Sequence, residues 1–148
     1  MSAANGVNRR HVQAYLAAGA AMAGLDAIWL TATNTALYRA TLGPILAPGF
    51  RLAPAISFYL IYLLGVVVFA VSPALPAGRW RGAAGRGALL GLVCYGTYDL
   101  TNQATLSVWS TRLTLIDLSW GVILTAFSAA AGFAAARLSV SGRRSRAG

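Results

Sequence analysis

The sequence predicts an all-α protein: a four-helix transmembrane bundle with both termini on the cytoplasmic side (N-in/C-in) and antiparallel neighbouring helices. Three observations carry that expectation. Of 148 residues, 57% are hydrophobic and 15 are charged, 12 Arg and 3 Asp. A soluble domain of this length carries roughly a quarter charged residues, about 37, so intrinsic disorder, a charged coiled coil and an ordinary water-soluble fold are excluded. Long apolar runs recur four times, and the arginines divide unequally between alternate connectors.

The spans fall at about residues 12–37, 55–72, 87–106 and 113–136. About 20 residues cross a hydrocarbon core of roughly 30 Å. The second span is the shortest and contains no charge. No stretch shows the ten-residue alternation of a barrel strand, and in lipid that leaves helices. Arg9-Arg10 before an Ala-rich run with Ala21-Met22-Ala23 also has the form of a cleavable signal peptide. Its continuation into Ala27-Ile28-Trp29-Leu30 is too long for that, and a first span is the preferred reading.

Breakers mark the connectors. The first, residues 38–54, holds Gly43, Pro44, Pro48, Gly49 and Pro54. The second opens at Pro73 and Pro76 and runs through residues 78–86. The third, residues 107–112, is a tight turn that makes the last two helices antiparallel neighbours. Residues 139–148 form a basic cytoplasmic tail, expected to lack regular structure.

Arginine placement sets the orientation. With four spans, one side carries Arg9, Arg10, Arg79, Arg81, Arg86, Arg137, Arg143, Arg144 and Arg146, and the other Arg39, Arg51 and Arg112. Nine against three places both termini in the cytoplasm. The net charge of +9 therefore points to anionic membrane lipids as partners, with no nucleic acid: the arginines lie on separate membrane-bordering segments, not along one stripe.

The acids are the informative residues. Asp26, Asp99 and Asp117 all lie inside spans. At about 2.5–3.5 kcal/mol for each mid-bilayer carboxylate, they must face the bundle interior. A rise of about 1.5 Å per residue puts them roughly 21, 18 and 24 Å above the inner boundary, in the outer half and near one another. Helical spacing groups Tyr95, Tyr98, Asp99 and Asn102 on one face, Asp26 with Trp29, and Asp117 with Trp120. Asp-x-x-Trp occurs in both the first and last spans, placing an indole one turn from a carboxylate. The candidate ligand-binding set is therefore Asp26, Trp29, Tyr95, Tyr98, Asp99, Asn102, Asp117 and Trp120.

Tyr98-Asp99-Leu100-Thr101-Asn102 followed by Asp117-x-x-Trp120-Gly121, with Asp26-Ala27-Ile28-Trp29-Leu30 and the second span, resembles the bacterial family catalogued as domain of unknown function 2177. The resemblance covers about residues 12–138. It implies a small multi-pass protein of the bacterial cytoplasmic (inner) membrane and brings no reaction, cofactor or catalytic residue.

Two readings of the acids compete. Arg39, Arg51 and Arg112 match them in number, and long side chains reaching inward would neutralise them and leave a structural staple. Alternatively, the cluster binds or relays a proton, cation, small polar ligand or lipid headgroup. An accessory to, or catalyst of, membrane-lipid modification and a purely structural partner subunit are the further alternatives. No nucleophile elbow, HExxH or metal-ligand set is present, which favours a non-enzymatic role. Single Cys94 and His11 make neither a disulfide framework nor a Cys/His metal site within one chain. Cys94 reads as a packing residue, and Trp80 and Trp109 as interfacial anchors. Gly87-x-x-x-Gly91 permits close helix approach, within the chain, in a homodimer or with a partner membrane protein.

Overall fold

A computed structural model of the chain describes the backbone of residues 2–144 and the side chains of residues 9–138, all of the secondary structure being helical. Helix α1 (Ser2–Thr33) runs on through a π-helical stretch, Asn34–Arg39, and a final α turn, Ala40–Leu42, into a 3-10 turn, Gly43–Ile45. Helix α2 (Leu52–Gly65) continues through a second π-helical stretch, Val66–Val71, to Ser72–Ala74. Helices α3 (Trp80–Thr105) and α4 (Thr111–Arg144) complete the chain.

Each departure from regular helix has a local cause. Pro73 has no N–H for the helical ladder, and the helix widens just before it. The Ser72 hydroxyl and amide both return to the Val67 carbonyl, five residues back. At the end of α1, the hydroxyls of Thr31 and Thr33 bond the carbonyls of Ala27 and Trp29. Such bonds compete with the α ladder, and the next six residues are π-helical.

Among the described residues, three helical stretches are long and apolar enough to cross a membrane: Arg9–Ile45, Leu52–Ala74 and Thr111–Leu138. Helix α3 is long enough, at 26 residues, but Tyr95, Tyr98, Asp99, Asn102 and Gln103 lower its apolar content. It begins at Trp80, so the Arg- and Gly-rich segment expected as connector is helical from Trp80 onward. The last helix likewise outruns its expected end near 136 and holds to Arg144. The side chains of the expected tail, 139–148, lie outside the described residues, Arg143, Arg144 and Arg146 among them.

Helix α4 is the spine, flanked by α1 and α3, with the α2 π stretch packed among all three. The α3–α4 pair is an antiparallel hairpin in i±4 ridge packing. Every fourth residue from Ala83 through Gly87, Gly91 and Tyr95 to Asp99 faces Asp117, Gly121, Thr125, Ala129 and Phe133. A Cβ on Gly87 would meet the Thr125 carbonyl at 2.6 Å, and one on Gly91 would overlap the Gly121 carbonyl. The Gly87-x-x-x-Gly91 motif is therefore used inside the chain.

Apolar side chains pack in two clusters at opposite ends. The larger includes Met22, Val66, Val71, Leu124 and Phe133; the smaller joins Leu37, Leu42, Trp109 and Leu113. Trp109 is 8% exposed and donates its indole N–H to Thr114, so it is a core residue and not the expected anchor. Trp80 is exposed, with the Arg81 guanidinium 5.8 Å from its ring centroid.

Leucine at position 91 should lower stability to denaturing detergent by about 1–3 kcal/mol or more, because the neighbouring atoms are backbone and cannot yield. Alanine at Gly85, where nothing lies within 4 Å, should be neutral or stabilise by up to about 1 kcal/mol.

Candidate functional site

The three acids occupy a polar layer between the two apolar clusters. Along α1, the larger cluster contributes Met22, the polar layer Asp26 and Trp29, and the smaller cluster Leu37; along α4 the order reverses, from Leu113 through Asp117 and Trp120 to Leu124. Asp99 is fully buried, and Asp26 and Asp117 are 9% and 7% exposed.

Hydroxyl and indole donors reach two of the carboxyls. Tyr59 Oη donates to Asp26 Oδ2 at 2.6 Å, and Trp120 Nε1 to Asp26 Oδ1 at 3.2 Å. Tyr38 Oη donates to Asp117 Oδ1 at 2.5 Å while accepting from Trp29 Nε1 at 2.9 Å. The rings of Trp29 and Trp120 stack at 4.4 Å between centroids and 4° between planes. Each Asp-x-x-Trp motif thus serves the other's acid: Trp120 bonds Asp26 directly, and Trp29 reaches Asp117 through Tyr38.

Asp99 differs. Neither of its oxygens meets a hydroxyl, amide or indole donor. Its ionisable neighbour is Asp117 on the facing helix, and two carboxyls side by side can bond only when one of them carries a proton. Arg39, Arg51 and Arg112 are exposed, and among the described residues none bridges an acid; of the two competing readings, neutralisation by guanidinium is not seen, and aromatic donors stand at Asp26 and Asp117. The three acids also do not converge on one point. Asp99 and Asp117 adjoin, Asp26 connects to them through the stacked indoles and Tyr38, and no group of three His, Cys, Asp or Glu among the described residues could hold a metal ion.

Beside the pair lies a cavity of about 360 Å³, lined by Phe58, Tyr62, Cys94, Tyr95, Tyr98 and Asp117. Its walls are held in place. Tyr62 Oη and Thr125 Oγ1 are 2.8 Å apart, Tyr95 lies flat against Gly121, where any Cβ would enter its ring, and Tyr98 meets Trp109 edge-on at 5.5 Å. Cys94, read from sequence as packing, is half-buried on this wall.

Of the eight residues singled out by sequence, Tyr95, Tyr98 and Asp117 share the cavity, Asp99 is buried outside its lining, and Asp26, Trp29 and Trp120 form the bonded chain. Asn102 takes no part through its side chain; its backbone carbonyl accepts from Leu106 N at 2.8 Å. The neighbouring Gln103 is bonded instead, to Thr111 and Thr114, and closes the loop end. Sequence reading missed Tyr38, Tyr59, Tyr62 and Phe58. The last three share one face of α2 at three- and four-residue spacing, a signal that was present. Tyr38 had none, because a π turn sets its direction.

A helical chain that covers its flanks with exposed apolar residues such as Leu16, Ile61, Phe69, Leu100 and Ile123, and withdraws its acids inside, is an integral membrane protein of the polytopic helical class. The chain belongs to the family described as predicted membrane protein (DUF2177), which matches it over residues 11–134. No curated protein and no solved structure matches it.

Replacing Tyr38 or Tyr59 with Phe strands a buried carboxyl oxygen and should cost about 1–3 kcal/mol in detergent unfolding. Phe at the exposed Tyr98, which bonds no acid, should stay within about 0.5 kcal/mol of the parent.

Proposed function

We propose that this protein is a four-span bundle of the bacterial cytoplasmic membrane, both termini inside, whose Asp99–Asp117 pair binds a proton or a cation as a non-enzymatic site opening toward the outer half of the bilayer. The fourth crossing is α3. Its outward residues Leu89, Leu92, Val93 and Leu100 are apolar and exposed, whereas Asp99 faces α4, so its modest apolar content reflects inward chemistry. The nine-to-three arginine distribution supports the orientation.

One observation carries the functional reading: a fully buried carboxyl whose oxygens have no hydrogen-bond donor stands beside a second carboxyl, and among the described residues no guanidinium bridges either. Two unit charges about 4 Å apart repel by about 4 kcal/mol even at an effective dielectric of 20. The stable occupancies are one proton shared by the pair or a cation held against it. A purely structural staple would place an arginine or a full set of donors around Asp99, and it has neither. Intramembrane carboxyls without such compensation belong to proton and cation sites.

Infrared spectra of the reconstituted protein should contain a protonated-carboxyl carbonyl band that disappears in Asp99→Asn and in Asp117→Asn, each checked for intact folding by tryptophan fluorescence. No such band at any pH at which the protein stays folded, in the absence of added cations, would reject the shared proton. For topology, reporters fused at the C-terminus and after Gly78 should report cytoplasm, and one after Gly49 the external side. The opposite pattern, or a cytoplasmic signal at Gly49, would overturn the four-span arrangement.

A further inference from the structure

The cavity beside the acidic pair has a chemistry that names its occupant more narrowly, and we infer that it is a binding site for a bulky organic cation bearing a quaternary or substituted ammonium group, drawn from the bilayer. The inference rests on the proposed cation-binding role of the pair and goes beyond it by assigning the ligand class. Four aromatic rings, those of Phe58, Tyr62, Tyr95 and Tyr98, and one carboxyl, that of Asp117, surround the space. Aromatic faces carry negative quadrupole density and attract weakly hydrated cations within about 6 Å. The charged group on the wall is an acid, backed by the buried, donorless Asp99, and no arginine lines the cavity.

Other occupants fit less well. Magnesium and calcium require about six or more oxygen ligands, whereas these walls are mostly ring carbon and, among the described residues, no three metal-ligating side chains converge. An anion would meet the carboxyl of Asp117 with no cation on the wall to offset it. A neutral apolar molecule would leave Asp117 and Asp99 uncompensated. At about 360 Å³ the space also suits a small organic ligand rather than a bare ion.

The route is lateral. The apolar clusters close both ends of the polar layer, while Phe58 and Tyr98 stand 45% and 55% exposed on the flank, on α2 and α3. In a four-span bundle that flank faces lipid. Phe58 lies six residues from the start of α2 and Tyr98 seven from the end of α3, so the mouth is about 9–11 Å below the helix ends. An ammonium group at that depth comes either from an amphiphilic amine dissolved in the membrane or from a lipid headgroup, and the chemistry of recognition is the same.

The test uses Cys94, the sole cysteine of the chain, on the cavity wall. In phosphatidylglycerol vesicles, tetraalkylammonium ions from methyl to propyl should slow N-ethylmaleimide labelling of Cys94 in a saturable way, and the compact anions tetrafluoroborate and hexafluorophosphate, close in size to tetramethylammonium, should not. Phe58→Leu or Tyr98→Leu, both at exposed positions tolerant of change, should weaken protection roughly three- to ten-fold. Asp117→Asn should abolish it. Replacing phosphatidylglycerol with phosphatidylcholine or phosphatidylethanolamine should slow labelling without added ammonium if headgroups fill the site; equal basal labelling in all vesicles, with soluble ammonium still protective, assigns free amines. Either outcome supports the ligand class. Protection in neither arm, equal protection by the anions, or protection surviving Asp117→Asn overturns it. If that happens while the carboxyl band lost in Asp99→Asn is present, the proton-binding role stands and the organic-cation assignment alone fails.

Discussion

Burying three carboxyl groups in an apolar bundle, with no guanidinium partner among the described residues, is the constraint to which the rest of this structure answers. Withdrawn from water, a carboxyl needs donors, a proton or a cation. Asp26 and Asp117 are met by two tyrosine hydroxyls and, directly or at one remove, by two indoles. These donors are neutral, so they bond the acids without cancelling their charge. The remaining need falls on Asp99, whose oxygens have no donor among the described residues, whereas Asp26 is the better satisfied.

The pair exists because of how closely α3 and α4 approach. Small residues let two helices meet at backbone level where the hydrophobic effect supplies no drive between them in lipid. Gly87, Gly91 and Gly121 do this here, and the short turn after Thr105 fixes the register. Asp99 and Asp117 stand nine residues either side of Val108. Four-residue ridges in an antiparallel hairpin centred there bring them face to face, with Tyr95 laid on Gly121 one turn further in. Gly121 thus shapes the cavity wall without touching its contents.

Closure at both ends gives the layer its sidedness. The larger apolar cluster seals the end carrying the termini, and Leu37, Leu42, Trp109 and Leu113 seal the other. A conventional α-helical end to α1 would aim Tyr38 differently; the π turn at Asn34–Arg39 lets its hydroxyl sit between Trp29 and Asp117. Single π turns of this kind recur at functional sites. The open direction is the flank between α2 and α3, where the rings of Phe58 and Tyr98 stand exposed.

Composition and periodicity by themselves determined that the chain is helical, that it belongs in a membrane and that its acids face inward, because each of these follows from the cost of placing polar groups in hydrocarbon. The Asp99–Asp117 pairing was legible too, once the chain is folded about its tight turn at i±4 register. Tertiary structure alone decided the partners. That Arg39, Arg51 and Arg112 stay outside, that each tryptophan serves the other motif's acid, and that Tyr38 and Tyr59 replace Asn102 in the network depend on helix rotations and on a π turn of a few ångströms. One-dimensional spacing fixes which residues share a face of one helix. Which face of another helix they meet is set by packing, and packing is where the carboxyls found their donors and where the cavity opened.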